Sequence, residues 1–516
     1  MDTSKTNKAV IDIGSNSIRL VIYSYNSMQG LKELHNFKTV ARLSLYIDKN
    51  GLLNERGIHL LVETLTKFKE ILEDIHVTDV FVAATAAIRQ AKNRDEILAL
   101  VKDRIGFTIN ILSANQEAFF GYIAVVHSTN IPKAVTIDMG GGSTEVTYFE
   151  NKKLKYSFSF PFGAVSLKAK FMYDTTMLDH DNKELIEYVK EQFLTLDWIR
   201  NLKVPIIAIG GSARNIAQVD QQRKVFPLNG VHQYELKSED LQEISYQFTQ
   251  CSLDGLKKID GLSSDRADII VPALETFRIF MEVVEAPSFI YSKKGLREGI
   301  ILSQLIENYP GDFNVNEVTE NAIRHILGKF NVKKEVALHL YNIFNEMYLT
   351  FSRWKYIDRL EHRELVRFAY ELFHIGEQID QEAASQHTFY LLTNLSIDGI
   401  SNKERLKLAL LASYKNKDTF KQYVNPYQNL LNDQEIKQLR DIGALLRFTK
   451  GIDVLGRSNI KHVTITRTTD IITLTFTVVG SSMLEKYQAE KLKKHIEKIV
   501  STKVRLVFME TGENMI

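Results

Sequence analysis

Ala9-Val10-Ile11-Asp12-Ile13-Gly14-Ser15-Asn16-Ser17-Ile18-Arg19-Leu20 is the stretch on which the reading of this chain turns. Ala9–Ile13 reads as an apolar strand, Gly14–Ser17 as a polar glycine turn and Leu20–Tyr25 as a second strand. The same pattern returns later. Lys133–Asp138 reads as a strand that ends in Asp138-Met139-Gly140-Gly141-Gly142-Ser143-Thr144, and Glu145–Phe149 and Leu154–Phe160 continue as strands. Each time an apolar strand ends at an Asp, a turn of small residues follows, and a new strand begins. Two such units predict a duplicated fold with a cleft between its halves.

Outward from these two stretches, strands and helices alternate. Asn54 can cap a helix whose Leu61, Leu65, Phe68, Leu72 and Ile75 share one face. Asp79–Ala84 and Phe107–Leu112 read as short strands, with a helical stretch from about Asn93 between them. Pro205–Ile209 is a further buried strand, ending in Gly210-Gly211-Ser212, and helices dominate from there to about Asn308. Alternation of this kind argues for an α/β layer fold. Tyr309-Pro310-Gly311-Asp312 is a breaker cluster and marks a boundary. From about Asn314 to Arg447 the pattern is almost wholly helical, with one stripe at Val336, Leu340, Ile343 and Met347 and another at Leu365, Phe368, Ala369, Leu372 and Phe373. The last stretch changes again: His462–Thr466 and Ile471–Val478 read as strands, a Lys-rich helix runs from about Glu485 to Val500, and Val504–Met509 closes as a strand.

At 516 residues the chain is too long for one hydrophobic core, and two to four domains are expected. Apolar residues at 44% and charged residues at 25% set aside disordered and collagen-like classes. Lys and Arg number 65 against 63 acidic residues, so a site for a polyanion has to be a local cluster and not a global field. Cys251 is the only cysteine, which excludes a disulfide framework, a zinc-thiolate site and a Cys-X-X-Cys redox site within one chain. Met1-Asp2-Thr3-Ser4-Lys5 runs straight into a strand-like segment with no signal-peptide apolar region, and no apolar run is long enough to span a bilayer. A soluble, cytoplasmic protein is the expectation.

Glycines let a backbone approach an anion closely and aim successive N–H groups at it. Ser and Thr hydroxyls add neutral donors, and an Asp at the strand end, Asp12 or Asp138, can hold a divalent metal. One such turn reads equally well as a tight hairpin; two facing turns can clamp one phosphate from both sides. In Ser113-Ala114-Asn115-Gln116-Glu117, Ser113 and Gln116 match a capping box, so a helix should begin here and carry Glu117 in its first turn. Glu117 reads either as a carboxylate that complements the helix dipole or as one that orients and deprotonates water. In Thr85-Ala86-Ala87-Ile88-Arg89 an Arg follows a strand end, where it is either a surface cation or a bidentate phosphate clamp. The chain has no Gly-X-X-X-X-Gly-Lys-Ser/Thr, no His-Glu-X-X-His and no Gly-X-Ser-X-Gly, which disfavours P-loop, zincin and α/β-hydrolase chemistry.

Together these segments resemble the Ppx/GppA family of exopolyphosphatases and guanosine pentaphosphate phosphatases. The resemblance is carried by Ala9–Leu20, Ala84-Thr85-Ala86-Ala87-Ile88-Arg89-Gln90-Ala91, Leu112–Ala118, Ile137–Glu145, Ile209-Gly210-Gly211-Ser212-Ala213 and Gly295-Leu296-Arg297-Glu298-Gly299, in the family's order over roughly residues 8–305. It implies duplicated actin-like ATPase (ribonuclease-H-like) lobes with the site between them. It implies Glu117 as the base that activates water, with Asp138 and Glu145 at the magnesium and phosphate site, where Asp12 is a further candidate ligand. It implies phosphate binding by Gly14, Ser15, Asn16 and Ser17, by Arg89, and by Gly141, Gly142, Ser143 and Thr144. Gly210, Gly211 and Ser212 look like a third turn lining the cleft. The helical region resembles the HD-like third domain of long family members through Leu372-Phe373-His374-Ile375-Gly376 and Gln386-His387-Thr388-Phe389-Tyr390-Leu391-Leu392. His374 is followed by Ile375 where a working HD site needs Asp, and Tyr414-Lys415 stands where Tyr-His is expected, so no catalytic metal is expected there and His374 and His387 are read as structural.

The expected organisation is lobe I at 1–127, lobe II at 128–308, a helical HD-like domain at 314–450 and a small α+β domain at 456–516. The expected activity is processive release of terminal phosphate from inorganic polyphosphate, with Mg2+ in the cleft. The alternatives are a pppGpp 5′-phosphohydrolase, an actin-like kinase, and a non-catalytic regulator that binds pppGpp or ppGpp. Neither nucleic acid nor membrane is expected as a partner, and a homodimer is expected from the resemblance alone.

Overall fold

The computed structural model describes residues 5–172, 179–332, 334–338, 340–453 and 455–511, without the side chains of residues 179–181 and 336. Met1–Ser4 and the Val336 side chain of the first helical stripe therefore lie outside the described residues. Two compact units divide the chain, Met1–Phe226 with Gly230–Ala322, and Ile323–Ile516 with Pro227–Asn229.

The first unit contains two sheets among the described residues. Strands β1 (Thr6–Ile13), β2 (Ile18–Asn26), β3 (Gly30–Thr39), β4 (Val80–Ala84) and β5 (Ile109–Ile111) lie in the order β3-β2-β1-β4-β5. β1, β2 and β3 are antiparallel neighbours; β4 and β5 add in parallel. Strands β6 (Lys133–Met139), β7 (Thr144–Glu150), β8 (Lys153–Phe160), β9 (Ile206–Ile209), β10 (Tyr234–Leu236) and β11 (Phe289–Tyr291) lie in the order β8-β7-β6-β9-β11-β10. Again the hairpin strands β6, β7 and β8 are antiparallel and β9 and β11 parallel, with β10 added antiparallel at the edge. The strand order is therefore written twice, which is the duplicated actin-like arrangement.

Helices cover both faces of each sheet, which is why β1 reads as a continuous apolar run and not as an alternating one. On one face Leu61, Leu65, Phe68 and Leu72 of helix Glu55–Asp74 pack with Ile11, Ile13 and Leu20. Asn54 caps that helix by accepting from the Gly57 N–H. Ile75, expected on the same face, is exposed beyond the helix end, because the chain turns left-handed at His76 (φ 56°).

On the other faces the lobes exchange helices. Helix Ala114–Val126 follows β5 in the chain, yet its Tyr122, Val125 and Val126 pack with Ala134, Phe149 and Ile207 of the second sheet. Helix Leu296–Asn308 follows β11, yet its Ile300, Ile301 and Leu305 pack with Val10, Val21 and Tyr23 of the first sheet. This exchange sets the first turn of helix Ala114–Val126, and with it Glu117, between the two sheets.

The breaker cluster stays inside the first unit. The Tyr25 ring packs on Tyr309 (5.0 Å between centroids) and Phe313 (5.5 Å), and its hydroxyl donates to Asp312. Strand β3 carries no strand pattern in its sequence because it is an edge strand with mostly exposed side chains and little β-branching.

The second unit is helical from Tyr341–Arg353 to Asp433–Ile452, with Phe344, Met347, Tyr370, Leu406, Leu445 and Phe448 buried. Leu365, Phe368, Ala369 and Leu372 are buried as their spacing predicts; Phe373 is half-buried and stacks on His374 at 4.2 Å. The His374 Nε2 lies 3.1 Å from the Tyr414 carbonyl oxygen. A sheet in the order β12 (Ile460–Arg467), β13 (Ile471–Val479), β14 (Lys503–Thr511) follows, with the Lys-rich segment as two helices, Met483–Leu492 and Lys494–Val500.

Candidate active site

The duplication brings two hairpins face to face. Asp12 pairs with Arg19 across the β1/β2 hairpin, and Asp138 pairs with Glu145 across β6/β7. Both turns close alike: the Gly14 N–H donates to the Ser17 carbonyl at 3.1 Å, and the Gly140 N–H to the Ser143 carbonyl at 2.9 Å. They touch, since a Cβ on Gly141 would stand 3.0 Å from the Ser15 Cβ, and one on Gly142 3.1 Å from the Ser15 Oγ.

A cleft of about 480 Å³ opens along these turns. Gly14, Ser15, Asn16 and Ser17 line it from the first lobe, and Gly141, Gly142 and Ser143 from the second. Gly210 and Gly211 bring the third turn to the same wall, and Asp12, Glu117, Asp138 and Glu145 complete the expected set. Three expected residues lie elsewhere. The Thr144 hydroxyl is fully buried and donates to the Phe162 carbonyl at 2.7 Å. Ser212 is buried off the wall, accepting from Arg266 Nη1 at 3.3 Å. Arg89 does not line the cleft; its Nη1 donates to the Glu117 carboxylate and, at 2.8 Å, to the Leu112 carbonyl.

Glu117 owes its place to the capping box read from the sequence. The Gln116 N–H donates to Ser113 Oγ at 3.2 Å, and the Ser113 N–H to Gln116 Oε1 at 2.9 Å. Burial pushes the Glu117 carboxyl up to about 7; Arg89 opposes the shift, and Asp12 and Asp138 add to it. The neighbouring acids feel the same field. Asp138 rises to about 6 through burial and Asp12, Glu145 rises through burial, Glu117 and Asp138, and Asp12 rises chiefly through burial. Four crowded carboxyls at the cleft, Glu145 buried and the others half-buried, form a site that gains from a cation.

Among the described residues no three His, Cys, Asp or Glu side chains form a metal-binding group by themselves. Asp12, Asp138 and Glu145 bring carboxylate oxygens to the cleft, the kind of donor that would fit a magnesium ion, which keeps several waters and uses one or two carboxylates plus substrate phosphate oxygens.

Cations line the same cleft, and the motifs do not assign them. Arg19, Arg214, Arg266 and Arg297 all line the cleft. Burial and the Arg297 charge lower Arg19 to about 10, and burial with Arg214 and Arg297 lowers Arg266. The Arg214 Nε is buried with no hydrogen-bond partner, as are both amide atoms of Asn16. Unpaired polar groups beside a cleft call for a partner, and a bound ligand is one candidate. Arg19 and Arg297 sit inside two of the six resemblance segments, and Arg214 follows the third glycine turn by one helical turn, so a signal exists for each. Arg266 ends a short 3-10 turn, Ser264–Arg266, with no such signal; its guanidinium packs against Gly211, where a Cβ would stand 2.3 Å from it.

The arrangement can hold a chain of phosphates with glycine N–H groups and guanidinium groups, and set a carboxylate of near-neutral pKa beside its end. The comparisons with known proteins point the same way. The model of the Ppx/GppA phosphatase family matches residues 20–308, and that of the Ppx/GppA phosphatase, domain III, matches residues 318–492. A guanosine-5′-triphosphate,3′-diphosphate pyrophosphatase of Pseudoalteromonas translucida (strain TAC 125) is 26% identical over 455 residues, 87% of this chain and 88% of that protein. The crystal structure of the Aquifex aeolicus Ppx/GppA family member covers 59% of this chain and 99% of its own, at 26% identity and a TM-score of 0.53. An exopolyphosphatase of Cytophaga hutchinsonii shares the fold at 22% identity and a TM-score of 0.55, over 58% of this chain and 98% of its own. With a family model spanning more than half of its length, and with its own doubled glycine turns forming the cleft, the chain belongs to the Ppx/GppA phosphatase family, whose members hydrolyse phosphoanhydride bonds.

Proposed function

We propose that the enzyme is an exopolyphosphatase that releases the terminal phosphate of inorganic polyphosphate. The observation that carries this reading is the wall of Arg19, Arg214, Arg266 and Arg297 beside the glycine turns. Tyr291, itself buried, is the one aromatic ring on that wall among the described residues, so the walls offer guanidinium groups for a polyanion and no exposed ring on which a base could stack.

In the mechanism, the turns Gly14–Ser17 and Gly140–Ser143 hold the terminal phosphoryl group between them. Glu117 takes a proton from a water molecule as that water adds to phosphorus. The P–O bond to the rest of the chain breaks in line, and the arginines stabilise the charge left on the shortened chain. Glu117 then returns its proton to solvent. Positioning and charge stabilisation are what phosphoryl transfer asks of a protein. Magnesium, held by Asp12, Asp138 or Glu145 together with phosphate oxygens, would supply charge screening.

A pppGpp 5′-phosphohydrolase is the second reading, favoured by the printed name of the Pseudoalteromonas relative. It uses the same cleft and the same Glu117. Phosphate release by one purified sample from long-chain polyphosphate and from pppGpp, with magnesium present, tests both. Faster release from polyphosphate supports the first reading, faster release from pppGpp replaces it with the second, and release from neither sinks both.

A further inference from the structure

Asp268 does not line the cleft, yet it lies where supports from all three glycine turns converge. Its carboxylate accepts from Arg42 Nη1 at 2.9 Å and Nη2 at 3.1 Å, and from Lys168 Nζ at 2.7 Å. Arg42 belongs to the first lobe. It adopts a left-handed conformation (φ 47°) that aims its backbone N–H at the Asn16 carbonyl (2.9 Å) of the first turn, while its side chain reaches Asp268 and the Asp265 carbonyl. Lys168 lies on helix Ala164–Phe171, whose first N–H groups support the second turn: Ala164 donates to the Gly140 carbonyl at 3.0 Å and Val165 to the Gly141 carbonyl at 3.0 Å.

The segment that carries Asp268 also supports the third turn. Arg266 lies against Gly211 and donates to Ser212, and the Ser263 N–H and hydroxyl donate to Asn215 Oδ1 at 2.6 and 2.7 Å, on the helix that follows Gly210. Lys38 on β3 pairs with Asp265 and adds a second bridge between the lobes. Each turn therefore has its own brace, and each brace ends on the same six residues, 263–268.

We propose that Asp268 is a positioning residue that couples closure of the two lobes to the alignment of all three turns, so that the cradle forms as one unit only while Asp268 holds Arg42 and Lys168 together. The significance for catalysis rests on the reading of the cleft as a phosphate site; the coupling itself does not. Asp268→Asn keeps the shape of the side chain, removes its charge and one acceptor oxygen, and so weakens the ties to Arg42 and Lys168.

The test is amide hydrogen exchange on the purified full chain, with and without inorganic tripolyphosphate. In Asp268→Asn, exchange at 14–17, 140–143 and 210–212 should rise together by about tenfold, the effect of a modest coupling free energy. KM for polyphosphate should rise more than kcat falls, and Asp268→Glu should recover much of both. Faster exchange confined to 263–268, or unchanged exchange at the turns, overturns the proposal. If Asp268→Asn does not fold, the double variant Arg42→Gln/Lys168→Gln removes the same two ties; unchanged exchange at the first and second turns in that variant overturns the proposal as well. Coupled exchange in a protein that releases phosphate from neither polyphosphate nor pppGpp supports the coupling and sinks the proposed function.

Discussion

Arg89 stands behind Glu117, outside the cleft wall, and one of its guanidinium nitrogens donates to both the Glu117 carboxylate and the Leu112 carbonyl. The pair decides how the carboxylate points and how readily it ionises. Burial raises the Glu117 pKa to about 7, and the largest opposing influence is Arg89. Without that cation the carboxyl should hold its proton to higher pH. Arg89→Gln is therefore expected to move the acid limb of the kcat/KM profile to higher pH and to lower kcat at pH 7. Arg89→Lys restores the charge but not the fork, and should fall between. A variant whose profile matches the wild type would separate Arg89 from Glu117 function.

Glu117→Gln keeps the side-chain shape and removes the base. A positioned general base contributes about a hundredfold to ten-thousandfold, so turnover of polyphosphate should fall within that range. Binding should survive, because the glycine turns and the arginines are unchanged. Phosphate release read beside equilibrium binding of tripolyphosphate checks both halves. Unchanged turnover would remove Glu117 from the mechanism.

The hairpin turns and the capping box were legible in sequence because each depends on local chemistry. Asp12-Ile13-Gly14 and Ser113–Gln116 carry their geometry within a few residues of chain. The exchange of helices Ala114–Val126 and Leu296–Asn308 was not legible, since an apolar helix face does not say which sheet it covers. The cationic wall was hidden for a related reason. Arg19, Arg214, Arg266 and Arg297 are scattered over 279 positions (297 less 19, counted inclusively) and meet only after both lobes have formed. A strand-end Arg such as Arg89 can serve a carboxylate as well as a phosphate, and only the fold separates these.

Arg214 offers the clearest test of the wall, since its Nε is buried and unpaired in a cleft shared with Arg266 and Arg297. Arg19 and Arg266 feel the repulsion of neighbouring guanidinium groups, which a bound polyanion would relieve. Arg214→Gln should raise KM for polyphosphate, by about tenfold if one charge-assisted hydrogen bond is lost. The steepness of the salt dependence of KM should fall with it. A fall in kcat at constant KM would instead place Arg214 on the reacting phosphoryl group.

The crowded acids make the stability of the ligand-free enzyme depend on pH in a stated direction. Glu117 and Asp138 titrate at about 7 and about 6 in the fold, above their ordinary values of 4.5 and 3.8. A carboxyl with a raised folded-state pKa stabilises the fold fully below its unfolded pKa and loses that contribution as pH rises through the folded value. The loss therefore falls between pH 4.5 and 7 for Glu117. Gln at this position never ionises, so Glu117→Gln should gain stability relative to the wild type between pH 5 and pH 8, by on the order of 2 kcal/mol. Asp268 and Glu298 titrate below their ordinary values and act in the opposite sense, but they are common to both proteins and cancel in the difference. Thermal melts of the two proteins at pH 5 and pH 8, without metal or phosphate, measure that difference. A gap that stays constant across this range would mean that Glu117 is already ionised at pH 5, and would remove the strained, near-neutral carboxyl on which its role as a base depends.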